Sequence, residues 1–173
     1  MTEPAASAAA APPIRLRPET PEDESFLYEV YASTREEELN ATGWDEPTRR
    51  AFVRRQFEAQ RRGYREMFPQ GRFEIILRGE SRAGRMVVDR ASGEILLVDI
   101  ALLPAFQNLG IGTELVGALL AEAERSHRPV RVSVFKPNRA AVFYRRLGFL
   151  KTGEAGPYDL WVWGASDGVT RPG

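Results

Sequence analysis

The stretch Asp99-Ile100-Ala101-Leu102-Leu103-Pro104-Ala105-Phe106-Gln107-Asn108-Leu109-Gly110-Ile111-Gly112-Thr113 constrains this chain more than any other. An apolar run of strand character is stopped by Pro104. Two glycines then lead into Leu115, Val116, Leu119, Leu120 and Ala123, a stripe at helical spacing. A strand is therefore joined to a helix by a short glycine-bearing loop. The first turn of a helix carries unpaired N–H groups and the positive end of the dipole, which together attract an anion. Gly110 and Gly112 lack Cβ atoms, so an anion can come close to the backbone; the same glycines would also serve a plain tight turn. Other phosphate loops do not fit, since a P-loop needs G-x-x-x-x-G-K-[ST] and a dinucleotide fingerprint needs a third glycine.

The flanking segments set the architecture. Ile14-Arg15-Leu16-Arg17 alternates like a strand, and Pro18-Glu19-Thr20-Pro21 ends it. Thr20 can cap a helix beginning at Pro21, where Glu22, Asp23 and Glu24 suit the positive end. Phe26, Leu27, Val30 and Tyr31 recur at helical spacing until Leu39–Asp45, with Thr42-Gly43, breaks the pattern. A second helix fits Glu46–Met67, with Val53, Phe57, Gln60 and Tyr64 on one face. Strand-like segments follow near Arg72–Leu77, Gly84–Asp89 and Glu94–Leu103, joined by Gly79-Glu80-Ser81 and Ala91-Ser92-Gly93 as an antiparallel meander. Beyond the loop come a strand at Pro129–Phe135, a helix at Asn138–Leu147 closed by Gly148, and strands at Phe149–Thr152 and Tyr158–Trp163 split by Gly153–Pro157. The order βααβββαβαββ predicts a mixed α/β (α+β) domain over residues 14–164. Residues 1–13 read as a disordered Ala/Pro lead-in and residues 165–173 as a flexible tail.

Composition removes several chemistries. Without cysteine there are no disulfides, thiolate nucleophiles or cysteine-held metals, and His127 is the one histidine, so no metal site is expected. Lys plus Arg equals Asp plus Glu, 24 against 24, which argues against general nucleic-acid binding. The arginines at 49, 50, 54, 55, 61, 62 and 65 then read first as a solvated helix face. No apolar run approaches the roughly 18 residues of a membrane span, and the opening lacks a secretory pattern, so the cytoplasm is the expected location. Gly79-Glu80-Ser81-Arg82-Ala83 lies between strands and lacks the last glycine of a nucleophile elbow.

Gln107-Asn108-Leu109-Gly110-Ile111-Gly112 matches [QR]-x-x-G-x-[GA], and Asn138-Arg139-Ala140-Ala141-Val142-Phe143-Tyr144-Arg145-Arg146-Leu147-Gly148-Phe149 looks like an N…A…Y…LGF segment. On these two motifs the chain resembles the GNAT superfamily of N-acetyltransferases, over roughly Ile14–Trp163. The resemblance implies a mostly antiparallel sheet flanked by helices, acetyl-CoA as co-substrate without a metal, and transfer to a primary amine of a small molecule or peptide by direct attack in a ternary complex. It implies that Gln107, Asn108, Leu109, Gly110, Ile111, Gly112 and Thr113 hold the pyrophosphate. The strand before them should carry a bulge and splay from its neighbour, so that backbone at Ile100, Ala101 and Leu102 pairs with the pantetheine arm.

By the same resemblance Tyr144 protonates the departing CoA thiolate and Asn138 touches CoA. Equally, Tyr144 can be a packing residue and Asn138 a helix cap. The glutamate that some members carry on the strand before the loop is replaced here by Leu96, which leaves Asp99, then Glu94, as the acids nearest the reaction. The first two helices and their connection would line the acceptor groove through Glu37, Glu38, Trp44, Gln56 and Gln60. Acids there would draw in a cationic amine, while Trp44 suits a lid or the core. A non-catalytic acyl-CoA-binding or regulatory domain is the alternative, motivated by the missing glutamate. The alternating Tyr158–Trp163 leaves a face on which a homodimer could form.

Overall fold

A computed structural model describes residues 11–91, 93–138 and 140–164. Its strands are β1 (Ile14–Pro18), β2 (Arg72–Arg78), β3 (Ser81–Asp89), β4 (Ile95–Leu102), β5 (Val130–Phe135), β6 (Leu150–Ala155) and β7 (Tyr158–Trp163). They form one sheet in the order β1-β2-β3-β4-β5-β7-β6. Every pairing is antiparallel except β4 with β5. The helices are α1 (Glu24–Ser33), α2 (Glu36–Asn40), α3 (Glu46–Met67), α4 (Ile111–Ser126) and α5 (Ala140–Arg146).

Most elements stand where periodicity puts them. The long helix begins behind Asp45, whose side chain accepts from Thr48 N at 2.9 Å. Two expectations are corrected. A short helix, α2, stands between the two expected N-terminal helices, because Glu36–Asn40 closes one more turn before Thr42-Gly43 interrupts the chain. The sixth strand runs through Gly153 to Ala155, because Gly153, Glu154 and Ala155 each pair with β7 and the turn shrinks to Gly156-Pro157. The proposed tail, 165–173, and the lead-in up to residue 10 lie outside the described residues.

Each face of the sheet has its own core. On one side α4 and α5 cover Ile76, Met86, Val88, Ile95, Leu97, Val130 and Val132. On the other, α1 and α3 close over Ile75 and Leu77 through Phe26, Leu27, Val30, Tyr31, Val53 and Phe57. Phe57 and Tyr31 are almost fully enclosed, and burying such a side chain stabilises the fold by about 1.5–3 kcal/mol. Among the described residues no helix is long and apolar enough to cross a membrane.

One irregularity in the sheet positions everything that follows. Opposite β3, Val87 pairs with Asp99 but Val88 pairs with Leu97, so Val98 is an extra residue, a β-bulge. Strict alternation would put Asp99 on the face of Ile95 and Leu97. The bulge reverses it: Ile100 and Leu102 now join the α4 side, and Ala101 joins the α1/α3 side.

Candidate active site

β4 and β5 pair only through Ile95↔Val130, Leu96↔Arg131 and Leu97↔Val132. Past the bulge they part. β4 continues to Leu102 paired with β3 alone, and β5 continues to Phe135 paired with β7 alone. Backbone groups of β4 aimed at the gap therefore lack a strand partner, while the side chains of Ile100, Ala101 and Leu102 are spent on the two cores.

The gap opens onto the glycine loop. After a 3-10 turn at Pro104–Phe106, Gln107 donates its Nε2 to Leu102 O at 2.9 Å, and its own N–H goes to Pro104 O at 3.2 Å. Asn108 takes φ 58° and Gly110 φ 80°, and α4 begins at Ile111. Glu114 N is the first amide of this helix to reach back, to Gly110 O at 3.0 Å. Among the described residues, the N–H groups from Asn108 to Thr113 have no backbone acceptor in the turns and caps. The run of open amides is thus narrower than the motif: Gln107 braces the loop and contributes no free amide. Ile111 is buried in the core, so only its peptide faces outward.

Tyr144, on α5, is buried, its ring edge-on to Phe143 (5.1 Å) and Phe149 (5.3 Å). The expected packing role is met. Burial first, then the negative charge of Asp99, pushes its phenol well above the ordinary tyrosine range, so the group keeps its proton. Asn138 is exposed and its Oδ1 accepts from Ala140 N at 2.9 Å, which accounts for it as a cap.

Asp99 is not an isolated carboxylate. Arg85 Nε, on β3, stands 2.6 Å from Asp99 Oδ2, and Arg85 Nη2 donates to Gln60 Oε1 at 2.5 Å. This buried guanidinium, missed by sequence reasoning, ties α3 to the bulged strand. Its one signal was a lone charge within the apolar run of β3. Tyr64, also on α3, has its phenol pushed up by burial and then by Asp99. Glu94, the other candidate acid, is paired with Arg131.

With this geometry in view, residues 69–151 match the family model described as acetyltransferase (GNAT) domain. Over that segment the chain matches a GNAT acetyltransferase domain, and its fold is the GNAT fold. No curated protein matches it by sequence. The GNAT fold recurs in the solved structure of a PaiA N-acetyltransferase from Thermoplasma acidophilum in complex with coenzyme A: 18% identity, TM-score 0.65, 87% of this chain and 98% of that one. An acetyltransferase from Thermus thermophilus is similar at 21% identity and TM-score 0.63, covering 87% and 96%. A histone acetyltransferase HPA2 and related acetyltransferase structure from Corynebacterium glutamicum is similar at 20% identity and TM-score 0.62, covering 93% and 99%.

In this GNAT-like fold the expected acceptor wall is only partly assembled. Gln60 faces the site through Arg85. Gln56 and Glu37 are exposed, and Glu38 is held by Arg35 at 3.1 Å. Trp44 is 43% exposed and lies edge-on to Phe52 at 5.2 Å, neither core nor closed lid. A groove of about 1110 Å³ runs between α1, α2 and the start of α3, lined by Tyr28, Glu36, Leu39, Glu46 and Arg54 among others. It includes none of the residues of the glycine loop or the bulge. The arginines of α3 are largely accounted for by Glu24, Glu46, Glu19 and Asn40.

Proposed function

We propose that this chain is an acetyl-CoA-dependent N-acetyltransferase acting on a primary amine, with residues 14–164 as its single catalytic domain. One observation carries the reading: a bulged strand parts from its parallel neighbour directly before a loop of unpaired peptide N–H groups. An elongated ligand with a polyanionic end fits that sequence of features. The diphosphate of CoA would lie on the amides from Asn108 to Thr113, and the pantetheine amides would pair with β4 at Ile100–Leu102 as an added strand. The relative solved with coenzyme A supports the same assignment.

The chemistry follows from placement. The amine nitrogen attacks the thioester carbonyl carbon, a C–N bond forms, and the C–S bond breaks as the intermediate collapses. Tyr144, kept protonated by its burial, gives its proton to the leaving thiolate. Asp99 takes the proton that the attacking nitrogen sheds onto its second oxygen while Arg85 fixes the first, and solvent water then carries that proton away and returns one to Tyr144. No covalent acyl-enzyme is needed, and positioning within a ternary complex supplies much of the acceleration. Tyr144→Phe should lower kcat about 100-fold with little change in the KM for acetyl-CoA, the expected scale for losing a general acid. Unchanged turnover would remove the tyrosine from the mechanism.

A second reading is a domain that binds acyl-CoA without turning it over. Both acids beside the gap are ion-paired and Leu96 replaces the strand glutamate, which favours it. Tight CoA binding with no thioester cleavage across an amine panel would select this reading over the first.

A further inference from the structure

The α1/α3 core covers only part of its sheet face. Among the described residues its members come from α1, α2, α3, β2, β4 and Leu103, and none from β5, β7 or β6. Beyond β4 that face is open at the Phe135–Tyr158 end, while Val162 farther along β7 is buried. On β5 the valines 130, 132 and 134 turn to the α4 side, so Ser133 and Phe135 turn to the open side. In register with Phe135 is Tyr158 of β7. The two rings meet at 5.8 Å, yet Phe135 is 41% and Tyr158 44% exposed. Neither ring belongs to a core cluster.

This aromatic floor borders the gap beyond Leu97↔Val132, and the Asp99 carboxylate stands on the same side of the sheet. Gln60 of α3 reaches the same side through Arg85, which holds Asp99. Resting on the acetyltransferase reading above, we infer that the acceptor is a small amine carrying an aromatic group, its ring laid on Phe135 and Tyr158 and its nitrogen directed at Asp99. The charge and the rings suit the two ends of such a molecule. A diamine's second ammonium gains only a cation–π contact there and forgoes the ring stacking and apolar burial that an aromatic group gains, and an amino acid would bring a carboxylate toward Asp99.

The test uses the full chain with acetyl-CoA and compares phenethylamine with cadaverine, alongside the thermal shift caused by CoA. Phenethylamine should have a kcat/KM at least about ten-fold higher. Phe135→Ala should reduce that advantage about ten-fold through KM, a scale set by one lost aromatic contact, and leave the CoA shift intact. Tyr158→Ala should act in the same direction. Equal use of the two amines overturns the inference, as does a Phe135→Ala variant with an unchanged preference. No turnover of either amine with an intact CoA shift overturns the acceptor assignment, and the wider amine panel then decides between the catalytic and the binding-only reading. A wild-type chain with no CoA shift overturns the underlying reading, and the acceptor assignment falls with it.

Discussion

Gly84 and Gly112 lack a side chain for different reasons, and substitution separates them. A Cβ on Gly84 would lie 2.1 Å from Ala101 O, in the backbone of the strand that splays. That atom cannot swing aside, so Gly84→Ala should destabilise the fold by about 3 kcal/mol. Thermal unfolding should report a drop of roughly 6–12 °C. A Cβ on Gly112 meets only Phe143 Cζ at 3.5 Å, an ordinary contact. Gly112→Ala should therefore keep the melting temperature within a few degrees. It should also leave CoA binding in calorimetry nearly unchanged, because the motif admits alanine at this position and the methyl group points at Phe143. A Gly112→Ala chain that loses CoA would mean that the diphosphate approaches from the Phe143 side of the loop. Gly112 was legible in the sequence because its motif is local. Gly84 read as the start of a strand, since its constraint comes from a residue on the neighbouring strand.

At the scale of elements, periodicity showed what shares a face, and it gave α3, β2 and β4 to within a residue at each end, while β3 begins at Ser81, three residues before the expected Gly84. Relations between elements escaped it. The bulge at Val98 is a mismatch in length between β4 and β3, which neither strand reveals alone. The same limit hid Arg85, whose partners Gln60 and Asp99 arrive from separate elements. Gly153 looked like the end of a strand, and only pairing with β7 shows the strand continuing. The Gln60–Arg85–Asp99 tie predicts a measurable asymmetry. Arg85→Met leaves a carboxylate oxygen without its cation and should cost about 3 kcal/mol in urea unfolding. Adding Asp99→Asn should recover at least half of that, since the orphaned charge disappears. If the double variant is as unstable as the single one, Arg85 acts through packing.

For the whole molecule, equal counts of acids and bases conceal a stability that depends on pH at both ends. Asp23 is buried between β1 and α1, held by Arg17 at 2.6 Å, by Arg82 at 3.3 Å and by Thr20 N at 2.9 Å. The Arg17 hydrogen bond in particular holds its carboxyl far below the usual range. Glu122 is lowered by Arg90, and Glu154 is lowered to about 2 by Lys136 and then Lys151. A carboxylate that binds protons less readily when folded stabilises the protein above its unfolded value near ~4, and that stabilisation is lost as the pH falls below it. The buried phenols work in the opposite direction. Tyr64 and Tyr144 hold their protons more tightly when folded, so their contribution is complete below the unfolded value near ~10 and fades as the pH rises past it. Unfolding free energy should therefore be flat from about pH 5 to 9 and fall on both sides. Asp23→Asn should lower the plateau by about 2 kcal/mol and flatten the acid limb, while Tyr64→Phe should flatten the alkaline limb and leave the acid limb alone. Denaturant titrations across pH check both. An acid limb of unchanged slope in Asp23→Asn would mean that the tie between the first strand and the first helix does not govern acid unfolding.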